Sequence, residues 1–126
     1  MKAVAITLAG LVAAVVGGCA NAQRSPDMEA AHQYASCLGA TSASADVATG
    51  SIDVAIKVAF QSCAPLRKVA VTEITKGFQV RGMKFVAASK EAEDFVQEMD
   101  QQTAKQLRAD IAALRAKKQV SNAPNQ

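Results

Sequence analysis

Apolar residues recur at spacings of three and four along most of the chain beyond residue 25, and that period predicts helices. In the first stretch Met28, Ala31, Tyr34 or Ala35, and Leu38 mark one face, with Cys37 beside it. Ser25-Pro26-Asp27 opens the stretch with a serine able to cap free N–H groups. Proline suits the first helical position, where no donor is needed, and Asp27 with Glu29 complements the helix dipole. The helix is expected to reach Leu38 or, through an alanine-rich run, as far as Ala45, with Gly39 as its weak point. Residues 40–50 are rich in Ala, Ser and Thr, with Asp46 and Gly50 as breakers, so the connection falls inside them. Ser51 then caps a second helix on which Ile52, Ile56, Ala59 with Phe60, and Cys63 share a face.

Pro65 cannot donate to a helical ladder, so it either kinks this helix or opens a new one. Leu66, Val69 with Ala70, Ile74 and Phe78 keep the helical beat. The β-branched content of residues 69–75 and 78–86 offers a rival, a hairpin turning at Lys76-Gly77. Helix is the adopted reading, because the face from Ile56 through Ala70 and Ile74 to Phe85 stays in phase, with Gly77 and Gly82 marking the bend. Residues 84–118 form the longest predicted element, an amphipathic helix with Phe85, Ala88, Ala92, Phe95, Val96, Met99, Leu107, Ile111 and Leu114 on one side. The expected fold is all-α: a disulfide-stapled antiparallel helical hairpin followed by a long amphipathic helix, a three-helix arrangement. It forms a single domain over residues 26–118, with a polar, Pro-containing tail over 119–126 expected to be disordered.

The N-terminus changes the picture by supplying a compartment. Lys2 precedes an uncharged apolar run over residues 3–16 that Gly17 and Gly18 break, too short for the roughly 20 residues a spanning helix needs. It reads as a signal peptide. Two cleavage sites compete. Val16-Gly17-Gly18-Cys19 resembles a lipobox, predicting a signal of residues 1–18, a tether of 19–25 and an acyl chain on Cys19. Ala20-Asn21-Ala22 resembles an ordinary signal-peptidase site and predicts a soluble periplasmic chain starting at Gln23. The first is preferred, since lipidation uses the odd one of three cysteines without leaving a free thiol; the second discards Cys19 with the signal.

Export makes a disulfide chemically reasonable. With the turn between them, Cys37 and Cys63 face each other across two antiparallel helices, as the short Cα separation of a disulfide requires. A redox-active dithiol is the sharper alternative, but such pairs favour C-x-x-C at a helix start, and this chain has none. Metal binding by Cys37, Cys63 and His32 fails on ligand count and compartment. The run Tyr34-Ala35-Ser36-Cys37-Leu38, a Ser/Asp/Gly-containing connection, and Val58-Ala59-Phe60-Gln61-Ser62-Cys63-Ala64-Pro65 resembles small exported two-cysteine helical proteins of Gram-negative bacteria. That resemblance covers residues 26–70. It implies a helical hairpin with a structural disulfide and no activity.

Composition limits the core and the partners. With no Trp, one Tyr and four Phe, the core must be built from small and aliphatic side chains. A net charge of +3 is too small to imply nucleic acid. Six cations between Lys57 and Lys84 (Lys57, Arg67, Lys68, Lys76, Arg81, Lys84) oppose only Glu73, a stripe that suits anionic lipid or cell-wall polymer, though such a stripe is more often a solvated face. On the long helix, Glu91, Glu93, Asp94, Glu98 and Asp100 precede Lys105, Arg108, Arg115, Lys117 and Lys118. This order suits the helix dipole, and it would also let two copies pair antiparallel.

Catalytic signals are weak. His32 is the only histidine, with Glu29 its one acidic helical neighbour. Gly77 to Gly82 followed by Met83-Lys84 misses the phosphate-loop pattern by one position, and no Ser or Thr follows the lysine. Glu91, Glu93, Asp94 and Glu98 lie on the predicted exposed side, where burial cannot tune an acid–base pair. The expectation is therefore a non-enzymatic envelope protein with no cofactor and no metal. It would act on a protein partner or a second copy through Phe85, Phe95, Met99, Leu107, Ile111 and Leu114, and on a membrane through Cys19. The alternative is a small-molecule carrier or weak enzyme using an inter-helix pocket. A partner-binding stripe would stay partly exposed, whereas a carrier would enclose a cavity beneath it.

Overall fold

A computed structural model describes residues 24–124, so the expected signal segment and Cys19 lie outside the described residues. Among the described residues four helices follow one another: α1 (Pro26–Thr49), α2 (Ile52–Ser62), α3 (Ala64–Val80) and α4 (Phe85–Ser121). No strand occurs among the described residues, and none of their helices is both long and apolar enough to cross a membrane.

α1 runs further than its sequence suggests. Its start is built with Pro26 at the first turn, while Ser25 contributes its carbonyl to the Glu29 N–H at 2.9 Å rather than a side-chain cap. Gly39 does not interrupt it. Two of the hydroxyls beyond it bond back to helix carbonyls, Ser42 to Gly39 at 3.1 Å and Thr49 to Ala45 at 2.7 Å, instead of competing with the helical ladder. The true stop is Gly50, whose φ of 68° places it in the left-handed region, where its N–H reaches the Asp46 carbonyl at 2.9 Å. Ser51 then caps α2 as expected, its hydroxyl accepting from the Val54 N–H at 3.4 Å.

The expected second helix is two. It stops at Cys63, and Pro65 opens α3 in its first turn, where a missing N–H costs nothing. This division raises the helix count from the expected three to four. α2 and α3 both pack along α1 in reverse order: Cys63 meets Cys37, and a Cβ at Gly77 would lie 3.2 Å from Asp27 Oδ2. Gly77 therefore marks a close approach inside α3, not a bend. The bend is at Gly82, with φ 95°, where Gly82 N–H bonds to the Gln79 carbonyl and Met83 N–H to that of Phe78, the paired bonds of a Schellman stop.

α4 is 37 residues, about 55 Å at 1.5 Å per residue. It lies mainly on α3 and also meets α2 and α1. It takes in residues 119–121, so the start of the expected tail is helical, while 125–126 lie outside the described residues. The core joins Ala30, Tyr34 and Leu38 of α1 to Ala59 and Cys63, to Ala70 and Ile74 of α3, and to Ala92 and Val96 of α4. Ala55, Ala59, Ala70, Ala88 and Ala92 are completely buried, and their small size lets the helices approach closely.

Candidate functional site

Three features combine covalent or polar chemistry with burial. The first is the disulfide. Cys37 and Cys63 are bonded with their Cα atoms 6.0 Å apart, tying α1 to the junction of α2 and α3. Cys63 is fully buried, and the Thr41 hydroxyl lies 3.6 Å from its sulfur.

The second is a polar chain across three helices. Tyr34, fully buried on α1, donates its hydroxyl to Asp100 Oδ1 of α4 at 2.8 Å. Arg67 of α3 donates Nε to Asp100 Oδ2 at 2.8 Å and reaches Glu93 Oε1 at 2.7 Å. Asp100 thus accepts from two helices at once. Burial, then the hydrogen bond to Asp100 and its negative charge, hold the Tyr34 phenol far above its ordinary range. Burial opposes the Arg67 charge, but bonds to Asp100 and Glu93 outweigh it and keep the guanidinium above its usual value. Neither shift prepares a proton transfer near neutral pH; both secure one charge arrangement.

That arrangement predicts an alkaline signature. A phenol with a raised folded pKa contributes stability fully below its unfolded value near 10. The contribution is lost as pH climbs above that value, because only the unfolded chain then releases the proton. Stability of the parent should fall with pH above about 10 more steeply than that of Tyr34→Phe, by up to about 1.4 kcal/mol per pH unit. Urea midpoints measured at about pH 9 and about pH 11 test it, and parallel profiles would contradict it.

The third is a half-open groove of about 350 Å³, lined by Asp27, Met28, Ala31, Ile74, Phe78, Arg81 and Phe95. Arg81 stacks over the Phe78 ring at 4.9 Å, closing one rim with a cation. Met28 is 62% exposed and Phe95 52% exposed.

The residues singled out in the sequence do not assemble into one surface. Ile111 is buried at 4% exposure, and Met99 and Leu107 pack half-buried against the core. Phe85 and Leu114 project near the two ends of α4, and only Phe95 borders the groove. His32 is exposed, and Glu29 turns instead to Gln33 at 3.1 Å and Arg24 at 3.8 Å. Glu91, Glu93, Asp94 and Glu98 are exposed. Four of the α4 charges have partners on other helices: Glu93 and Asp100 meet Arg67, Arg108 meets Asp53 at 2.6 Å, and Arg115 meets Asp46.

In the sequence Asp100 and Arg67 stand out only as charges. A signal is there all the same, because each sits in the phase of a core stripe, Arg67 among Cys63, Ala70 and Ile74, and Asp100 four residues after Val96. No protein-family model, curated protein or solved structure matches the chain.

Proposed function

We propose that this chain is a non-enzymatic protein of the bacterial cell envelope, exported by its N-terminal segment and held at a membrane by an acyl chain on Cys19. Cleavage after Ala22 would instead make it a soluble periplasmic domain. Its role in this reading is to present a rigid helical surface to a protein partner. The observation that carries the reading is the groove beside α1, apolar along its floor, half open, and bordered by two large side chains more than half exposed. Such a groove suits the apolar face of a partner helix. A carrier of small molecules would use the same place, but a groove this open leaves much of a small ligand in water. The disulfide and the polar chain support a scaffold role, since the first ties α1 to the junction of α2 and α3 and the second ties α1, α3 and α4 to each other.

Two measurements test the reading. Intact mass of the protein from the envelope of a Gram-negative host should begin at Cys19 with added acyl chains; a start at Gln23 would remove the anchor. A photo-crosslinking residue in place of Phe95 should give a discrete protein adduct in cells that the same residue in place of exposed Gln101 does not give. Identical adduct patterns at the two positions would overturn the groove as the working surface.

A further inference from the structure

One end of the molecule gathers exposed apolar and basic side chains around a stiff turn. α1 begins there, α3 ends there and α4 starts there, as the approach of Asp27 to Gly77 and Arg81 shows. Val80 is 88% exposed, Val86 80% and Phe85 63%, with Met28 of α1 at the same end. Isolated exposed valines are ordinary in folded proteins. Here the exposed residues fall in and beside one turn, and Arg81 and Lys84 stand exposed among them. No carboxylate occurs between Glu73 and Glu91, while Lys76, Arg81, Lys84 and Lys90 all do. The acids facing this end from α1 are Asp27, beside Arg81, and Glu29, paired with Arg24. The Schellman bonds at Gly82 hold the turn in one shape, so little order has to be gained on contact.

We propose that this end is a membrane-contact tip. Val80, Phe85 and Val86 enter the interfacial layer of a bilayer, and Arg81 and Lys84 meet its anionic headgroups. The occupant follows from chemistry and from where the chain leads. An apolar cluster interleaved with cations matches a surface that is apolar below and negative above. The segment preceding Arg24 joins the fold at this same end, and five residue steps from Cys19 to Arg24 can span no more than about 18 Å. An acyl anchor on Cys19 therefore keeps this end within about 18 Å of the bilayer. The orientation rests on the anchored reading above; the composition of the tip does not.

The absence of tryptophan from the sequence supplies a clean probe. Protein processed from the full chain, carrying Val86→Trp or Val47→Trp, is mixed with vesicles of phosphatidylethanolamine and phosphatidylglycerol. Val47 is 78% exposed near the opposite end, so it controls for residue type and exposure. Emission from Val86→Trp should shift to the blue on vesicle addition and lose that shift when Arg81→Glu and Lys84→Glu are added, while Val47→Trp stays unchanged. No shift at Val86→Trp, equal shifts at both positions, or a shift that follows protein concentration without vesicles would overturn the tip, the last by assigning it to a second copy. Intact mass of the same samples reads the anchor separately. Acylated protein without the shift removes the tip alone, and unacylated protein with the shift removes the anchor alone.

Discussion

The double substitution Cys37→Ala/Cys63→Ala lowers the stability of the oxidised protein by about 3.5 kcal/mol, the chain-entropy value for a loop closed between residues 26 positions apart. A domain of this size has a total stability on the order of 5–15 kcal/mol, so the loss is a large fraction of the whole. The melting temperature should fall by roughly 15–25 °C. The cross-link constrains the unfolded chain most, but its position also matters in the native state. It joins α1 to the point where α2 gives way to α3, a junction also bridged by the backbone bond from Arg67 N–H to the Cys63 carbonyl at 3.1 Å and packed against the core through Ala59 and Leu66. Cys63 is fully buried, so alanine is the better replacement than serine, which would add a buried hydroxyl. Thermal or urea denaturation with and without reductant checks the claim. Reductant should destabilise the parent to near the level of the variant and leave the variant unchanged. A variant as stable as the oxidised parent would show that the disulfide is incidental to the fold.

The helices are legible in the sequence because their apolar positions repeat at the period of the structure they form, and a long amphipathic segment such as α4 carries that signal many times over. Their ends are less so. Gly39 looks like a weak point, yet Ser42 and Thr49 satisfy their hydroxyls on helix carbonyls and the helix continues to Gly50, the first position where a left-handed backbone is needed. Pro65 signals a discontinuity whose outcome a one-dimensional pattern leaves open. Whether a proline kinks one helix or starts another depends on how both halves pack on α1, which is a property of the folded chain.

Polar placement is harder to read than apolar placement. A charged residue in phase with a core stripe looks the same in sequence as one on a solvated flank, because a helix surface tolerates both. Arg67 and Asp100 become distinctive only when Tyr34 from a third helix is beside them. The same holds for the α4 charge order, which a single helix explains by its dipole and a pair of copies by antiparallel docking. Within the fold, Glu93 and Asp100 of the acidic half meet Arg67, and Arg108 and Arg115 of the basic half meet Asp53 and Asp46. Charge complementarity between α4 and the rest of the chain thus helps fix its register, and its largest share is at Asp100.

Asp100→Ala tests that share, with an expected loss of about 2–3 kcal/mol. The carboxylate accepts from Tyr34 and Arg67 at 2.8 Å each, and its side chain is only 18% exposed. Removing it leaves the Tyr34 hydroxyl buried without a partner, a cost of about 1–3 kcal/mol. Arg67 fares better, because it keeps Glu93 at 2.7 Å and its own side chain is 26% exposed. Most of the loss therefore comes from the orphaned hydroxyl rather than from the broken ion pair, and a double-mutant cycle separates the two. Adding Tyr34→Phe to Asp100→Ala removes the orphan, so the double variant should be no less stable than Asp100→Ala alone, although Tyr34→Phe by itself destabilises the parent. Asp100→Asn should lose less than Asp100→Ala, since the amide oxygen still accepts from the phenol. Urea denaturation of the four proteins of the cycle reads the coupling directly. Strictly additive losses for Tyr34→Phe and Asp100→Ala would mean that the two side chains are neighbours without being partners. Coupling of the predicted sign would instead identify Asp100 as the point where α1, α3 and α4 are locked together.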